Sequence, residues 1–210
     1  MALVRATKNV ASIEAGAERE KDASAAGLAS ELRSDEPSRR RQAARELARL
    51  PEGIPLLCDH LEREPAISVR SVIMTALIQS RSCAAVEGLT RYLRSENTAL
   101  RNEAIEALQE MPGEIAPYME ALLRDPESDV RIFAVNILAV LPNARAPEWL
   151  HKVILEDDHV NVCAAAVDCL AEVGTPASIA PLKELRLRFG DQPFMTFAID
   201  ATLKRIGETQ

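Results

Sequence analysis

Residues 129–142 read Asp-Val-Arg-Ile-Phe-Ala-Val-Asn-Ile-Leu-Ala-Val-Leu-Pro, and their apolar positions, Val130, Ala134, Ile137, Leu138 and Leu141, fall on one side of a helix. Asp129 is placed to cap that helix and Pro142 to end it. The pattern recurs along the chain. With Arg131 as anchor, the matching positions are Arg40, Arg70, Arg101, Cys163 and Thr196, at intervals of 30, 31, 30, 32 and 33 residues. The residue before the anchor is Val69, Leu100, Val130, Val162 or Met195. Three after it stands Ala43, Ile73, Ala104, Ala134, Ala166 or Ile199, and seven after it Leu47, Leu77, Leu108, Leu138, Leu170 or Leu203. At about 100° per residue these columns share one stripe. A period of about 31 residues predicts an all-α solenoid of about six helix pairs, in which one pair cannot bury enough surface to fold alone and stacking is obligatory.

The predicted pairs span 23–33 with 39–50, 53–63 with 69–79, 84–94 with 100–111, 114–123 with 129–141, 146–155 with 162–173, and 178–188 with 195–206. Ser68 and Asn161 are expected as further caps and Gly174 as a helix stop. The solenoid occupies residues 23–210. Residues 1–22 have mixed charge and no sustained apolar face, so a flexible or partly helical leader is expected there, with a docking peptide as the alternative.

Composition narrows the function. Hydrophobic residues make up 47% of the 210 and aromatics only 3%, which suits close contacts between small side chains. No apolar run is long enough to span a membrane, and the N-terminus lacks the features of a secretory signal, so a cytoplasmic protein is expected. The net charge of −7 counts against a nucleic-acid partner. Cys58, Cys83, Cys163 and Cys169 show no metal or redox spacing and read as small buried residues. There is no Gly-rich phosphate loop and no nucleophile elbow. Asp157-Asp158-His159, with His151 upstream, is the only local group resembling a metal site, but turns commonly hold such acids as caps. Neither a cofactor nor a metal is expected. Tyr118 and Trp149 read as packing residues.

The columns, with an Asp or Ser cap and then Val-Arg, resemble HEAT repeats of the short bacterial kind also found in phycobilisome-lyase-like proteins. The tracts that carry the resemblance are Ser68-Val-Arg, Leu100-Arg-Asn-Glu-Ala-Ile-Glu-Ala-Leu, Asp129-Val-Arg-Ile-Phe-Ala-Val-Asn-Ile-Leu and Asn161-Val-Cys-Ala-Ala-Ala-Val-Asp-Cys-Leu. The resemblance covers about seven eighths of the chain and is specific for architecture rather than activity. The resemblance implies a non-enzymatic scaffold or adaptor, with a lyase-like or maturation factor for a chromoprotein or metalloprotein as the alternative. A likeness to HEAT proteins of bacterial signalling systems suggests a chemotaxis-type setting. In relatives the anchor Arg pairs with an acid near the turn, which here implies Asp35, Glu96 and Asp129 for Arg40, Arg101 and Arg131. Cys163 and Thr196 break that series. The His-Glu dipeptides of HEAT-like di-iron hydroxylases are absent, since none of His60, His151 and His159 precedes Glu.

Relatives present the second helix of each pair on the concave side, where positions one, five and nine after the anchor would meet a partner. These read Arg41, Arg45, Arg49, then Ser71, Thr75, Gln79, then Asn102, Glu106, Glu110. They continue as Ile132, Asn136, Val140, then Ala164, Asp168, Glu172, and finally Phe197, Ala201, Arg205. Exposed charge is ordinarily a solvated face. Ile132 and Val140, with neighbouring Phe133, instead place apolar groups between two acidic repeats, and an apolar centre with a polar rim is interface anatomy. The expected binding surface is therefore Glu106, Glu110, Ile132, Phe133, Asn136, Val140, Asp168 and Glu172, and the expected partner is a protein with a basic or amphipathic helical surface. Phe197 in the last repeat is read as part of an apolar cap or as a homodimer contact.

Overall fold

The computed structural model describes residues 24–141 and 145–208. The expected leader, Pro142 as a helix stop, and the last two residues lie outside the described residues. Two compact units divide the chain, Met1–Leu89 and Thr90–Gln210. Among the described residues every regular element is helical, and the chain is an α-solenoid.

In the first unit, α1 (Ala25–Glu31), α2 (Pro37–Leu47), α3 (Gly53–His60, prolonged by a 3-10 turn over Leu61–Arg63) and α4 (Ile67–Ser80) form two helix pairs. Helix α1 packs on α2, α3 on α4, and the second helices α2 and α4 lie side by side. Helix α5 (Cys83–Arg91) opens the third pair and crosses the unit boundary.

The second unit begins with a 3-10 turn, Tyr92–Arg94, followed by α6 (Thr98–Gln109), α7 (Pro112–Ile115), α8 (Met119–Leu122) and α9 (Ser128–Val140). It continues with α10 (Ala146–Glu156), α11 (Val160–Val173), α12 (Ile179–Arg188) and α13 (Pro193–Glu208). The second helices α6, α9, α11 and α13 lie side by side in that order, and α10 and α12 form part of the other layer. The core is the predicted stripe. Val69, Val130, Val162, Met195, Ile73, Ala104, Ala134, Ala166, Ile199, Leu77, Leu108, Leu138 and Leu170 are fully enclosed. Leu203 departs from its column by being half-buried.

Two expectations need correction, and a third holds for a different physical reason. The first helix of the fourth pair is not continuous. It is α7, a 3-10 turn over Ala116–Tyr118, and α8, because Pro117 has no amide hydrogen to donate and its ring crowds the preceding turn. Ser68, Asp129 and Asn161 are not caps. Their helices begin two residues earlier than expected, with Ala66, Glu127 and His159 at the cap positions, none of them making a side-chain cap bond. Gly174 does follow α11, but with φ −62° and ψ 148° it is extended rather than left-handed. The glycine is needed for space, since a Cβ would run into the Leu170 carbonyl and the Ile206 side chain.

Candidate protein-binding surface

What orients the second helices is a turn built the same way in five repeats. The residue six before each anchor, Ser34, Glu64, Ser95, Asp125 or Asp157, accepts through its side chain the amide N–H two residues on, at 2.8–3.3 Å. In the second, fourth and fifth repeats this bond holds the amide of the residue at the cap position, and the residue that accepts it stands four positions before the expected cap. The anchor then reaches back to the same turn. Arg40, Arg70, Arg101 and Arg131 each donate through Nη1 to the backbone carbonyl of that residue, at 2.7, 3.1, 2.7 and 2.8 Å. Cys163 does likewise through its thiol, at 3.2 Å. Burial, aided by Asp157, pushes the Cys163 pKa up to about 11, which keeps the thiol protonated and able to donate.

The anchors' acidic partners come from the next repeat. Arg40 Nε and Nη2 bond both carboxylate oxygens of Glu64 at 2.8 Å, and Arg131 holds Asp157 at 2.6 and 3.0 Å. Asp35 contributes a backbone carbonyl to Arg40, and Asp129 is not the partner of Arg131. Arg101 forms no carboxylate latch of this kind. Its guanidinium lies 5.2 Å from the Phe133 ring centroid, while the equivalent acid, Asp125, is bound together with Glu127 by Arg94. Where Cys163 replaces the anchor arginine, Arg188 of α12 donates to the carbonyls of Ile154, Leu155 and Asp157 at 2.8, 2.9 and 2.5 Å. A guanidinium is thus restored at that turn from a different helix.

On this frame the predicted residues share one layer of the second unit. Val140 is 58% exposed at the end of α9, and Ile132 and Phe133 are half-buried at its beginning. Glu106 and Glu110 are exposed at α6 on one side, and Asp168 and Glu172 on α11 at the other. The surroundings modify three of them. Phe133 presents only part of its ring, the rest lying beneath Arg101. Glu172 is gripped by Arg205 through two bonds of 2.6 and 2.7 Å. Asn136 keeps an exposed side chain while its carbonyl accepts from Gln109 Nε2 at 3.1 Å, tying α9 to α6.

The Asp157-Asp158-His159 cluster is committed to the fold. Asp157 accepts from Arg131 and from the His159 amide, Asp158 points to solvent 3.5 Å from Arg188, and His151 Nε2 lies 2.7 Å from Ser178 Oγ. Burial lowers the His151 pKa against the opposing pull of Glu148. Beside Arg131 opens a groove of about 640 Å³ lined by Trp149, Glu120, Arg124, Lys152 and His159. Trp149 is enclosed, with the Arg145 guanidinium 4.8 Å from its ring centroid, as a packing role requires.

Residues 115–192, which cover the fourth and fifth pairs and the first helix of the sixth, match the family model of HEAT repeats. No curated protein matches the chain. Among solved structures, Cex1p is similar with a TM-score of 0.51 at 13% identity, over 82% of this chain and 39% of that one. The chain therefore spans well under half of Cex1p. A designed armadillo repeat protein in complex with the peptide (KR)4 gives a TM-score of 0.43 at 19% identity, over 85% and 98% of the two chains. The complex of CpcE and CpcF of phycocyanin lyase from Nostoc sp. PCC7120 gives 0.34 at 16%, over 87% and 94%. The matched model identifies residues 115–192 as HEAT repeats, and the same core columns and stacked helix pairs continue on either side of them.

Proposed function

We propose that this HEAT-repeat scaffold is a non-enzymatic adaptor that holds a basic, amphipathic protein surface on α6, α9 and α11. The observation that carries the reading is Val140, 58% exposed on the middle helix, with half-buried Ile132 and Phe133 on the same helix and exposed Glu106 and Asp168 on its neighbours. Apolar contacts at such a centre supply most of an affinity, while rim charges set the association rate and select the partner's charge. Four free cysteines, three of them buried, suit a reducing compartment and support a cytoplasmic setting.

The test is affinity capture from the source organism followed by binding kinetics with the captured partner. Phe133→Ala should weaken binding by about 1 to 2 kcal/mol with little salt dependence. Glu106→Lys combined with Asp168→Lys should slow association and flatten its dependence on ionic strength. Wild-type kinetics in both folded variants would move the binding surface elsewhere, and a chromophore or stoichiometric metal copurifying from the native host would replace the adaptor reading by the maturation-factor one.

A second copy of the chain is proposed as the cover for the C-terminal pair, where Leu187, Phe197 and Phe194 are 85%, 77% and 51% exposed. Phe197→Asp should then dissociate a dimer without unfolding it. A wild-type protein that sediments as a monomer at high micromolar concentration would end this reading.

A further inference from the structure

The first unit carries a groove of about 600 Å³ between its two second helices, lined by Arg45, Ala48 and Arg49 of α2 or its end and by Val72, Thr75 and Ala76 of α4. Its charge is one-sided. Arg41 and Arg45 stand four residues apart on α2 and so share one face, at a rise of about 6 Å, and Arg49, in the turn that follows the helix, lines the same wall of the groove as Arg45. Arg41 donates to Ser68 Oγ at 3.2 Å. Among the described residues no carboxylate pairs with Arg45 or Arg49, although the chain as a whole carries −7. The opposite wall carries Ser71, Thr75 and Gln79, an uncharged stripe that Ile67 precedes on the same helix, outside the groove itself. Its two hydroxyls donate to their own helix, Ser71 to the Ile67 carbonyl at 3.0 Å and Thr75 to the Ser71 carbonyl at 2.8 Å. Ile67, ahead of that stripe, is 68% exposed. Between the walls, Ala48, Val72 and Ala76 are half-buried small side chains that leave room for an inserted one.

We infer that this groove docks an acidic amphipathic helix of a protein partner, its Asp or Glu residues on Arg45 and Arg49 and its apolar face on Val72 and Ala76. Two arginines side by side on one wall can each take a carboxylate from acids that share one face of a bound helix, and the uncharged wall fixes which side of the helix faces which. A nucleic acid fits less well, because cations stand on one wall only and no aromatic side chain lines the groove for base stacking. This surface lies on other helices than the acidic one of the second unit and selects the opposite charge. Two sites of opposite preference are what an adaptor that bridges two partners needs.

The test is to select from a random peptide library displayed on phage against the full chain, then measure the enriched peptides by fluorescence anisotropy alongside a single-stranded oligothymidine. Enriched peptides should carry acids four residues apart around an apolar residue. Their affinity should fall about tenfold or more in Arg45→Glu with Arg49→Glu, less in Arg45→Gln with Arg49→Gln, and stay unchanged in Glu106→Lys with Asp168→Lys. Circular dichroism should show all three variants folded, since the substituted side chains are exposed. No enrichment, enriched peptides without acids, acidic peptides indifferent to the arginine variants, or tighter binding of the oligothymidine would each overturn the inference. Loss of the acidic surface of the second unit as a binding site would leave it standing.

Discussion

Arg40 in the first unit and Arg131 in the second hold the same place in their repeats, and each binds the turn of its own pair and a carboxylate of the next. Their surroundings differ. The Arg40 and Glu64 side chains are 9% and 0% exposed, and His60 Nε2 joins the same carboxylate at 2.9 Å. The Arg131 and Asp157 side chains are 16% and 8% exposed beside the groove of the second unit, and that turn has two further donors in Cys163 and Arg188. What recurs from repeat to repeat is a place for a donor at the turn carbonyl rather than a particular residue. The surroundings also separate a fully buried latch, which fails badly when one partner is removed, from one with spare donors and access to water.

Removing the acid should therefore have unequal effects. Glu64→Ala leaves Arg40 and His60 enclosed without their carboxylate and should cost about 3 to 5 kcal/mol. Asp157→Ala should cost about 1 to 3 kcal/mol. Urea unfolding of both variants measures the difference, and equal costs would mean that burial is not what distinguishes the two latches. Large-to-small changes in the core should show no such asymmetry, because Leu77 and Leu138 are equally enclosed. Leu77→Ala and Leu138→Ala should each cost about 2 to 5 kcal/mol.

The buried latch also sets a pH dependence. Burial pushes the Glu64 carboxyl up, but hydrogen bonds from Arg40, His60 and the Ala66 amide outweigh it and hold the pKa below the ordinary glutamate value. A carboxyl with a lowered folded-state pKa stabilises the fold above its unfolded-state pKa and loses that contribution as pH falls through the folded-state value. The first unit should accordingly lose stability on the acid side of the ordinary glutamate range. In Glu64→Gln that part of the acid limb should be missing from a series of urea midpoints taken against pH.

The core was legible in the sequence because each apolar column recurs at the repeat period and only one helical face can be buried. The six helix pairs follow from the same columns. Sequence reading stopped at the turns. Asp129 and Ser68 look like caps in isolation, yet the column Ser34, Glu64, Ser95, Asp125, Asp157 recurs with the same period and marks the residues that close the turn. The carboxylate partners were missed because they stand 24 and 26 residues from their arginines, in the next repeat, where local spacing says nothing. Arg188 could not have been assigned at all. It lies on a first helix and replaces a missing second-helix anchor only through tertiary packing. In the candidate surface the exposed positions of α6, α9 and α11 could be read from the helix wheel, whereas the cover of Arg101 over Phe133 and the grip of Arg205 on Glu172 depend on neighbouring repeats.

Arg188→Met tests the substitute donor directly. It strips three turn carbonyls of a charged donor, at a cost of about 1 to 3 kcal/mol, and the added variant Cys163→Arg should recover part of the loss if the place at the turn is what matters. Urea midpoints of the single and double variants measure this. A double variant less stable than Arg188→Met would show that the turn of the fifth pair has lost room for an anchor arginine.

The smallest effect on stability should come from Arg205, and it carries the most information about binding. Its two bonds to Glu172 are short, but both side chains are more than half exposed, so water and salt screen the pair and two long side chains must be held in one geometry. Arg205→Ala should change stability by no more than about 1 kcal/mol. The charge at the surface changes more than the fold does. Glu172 would lose its neutralising partner and join Asp168 on the same helix, making this side of the apolar centre more negative. If the second unit attracts a basic partner, association should become faster in Arg205→Ala, the gain should shrink as salt is raised toward the range where the Debye length falls to about 3 Å, and dissociation should be nearly unchanged. Stopped-flow association at several ionic strengths measures this, with Glu172→Gln as the variant expected to move in the opposite direction. A rate that falls in Arg205→Ala would mean that the arginine itself touches the partner, and the acidic rim would then end at Asp168.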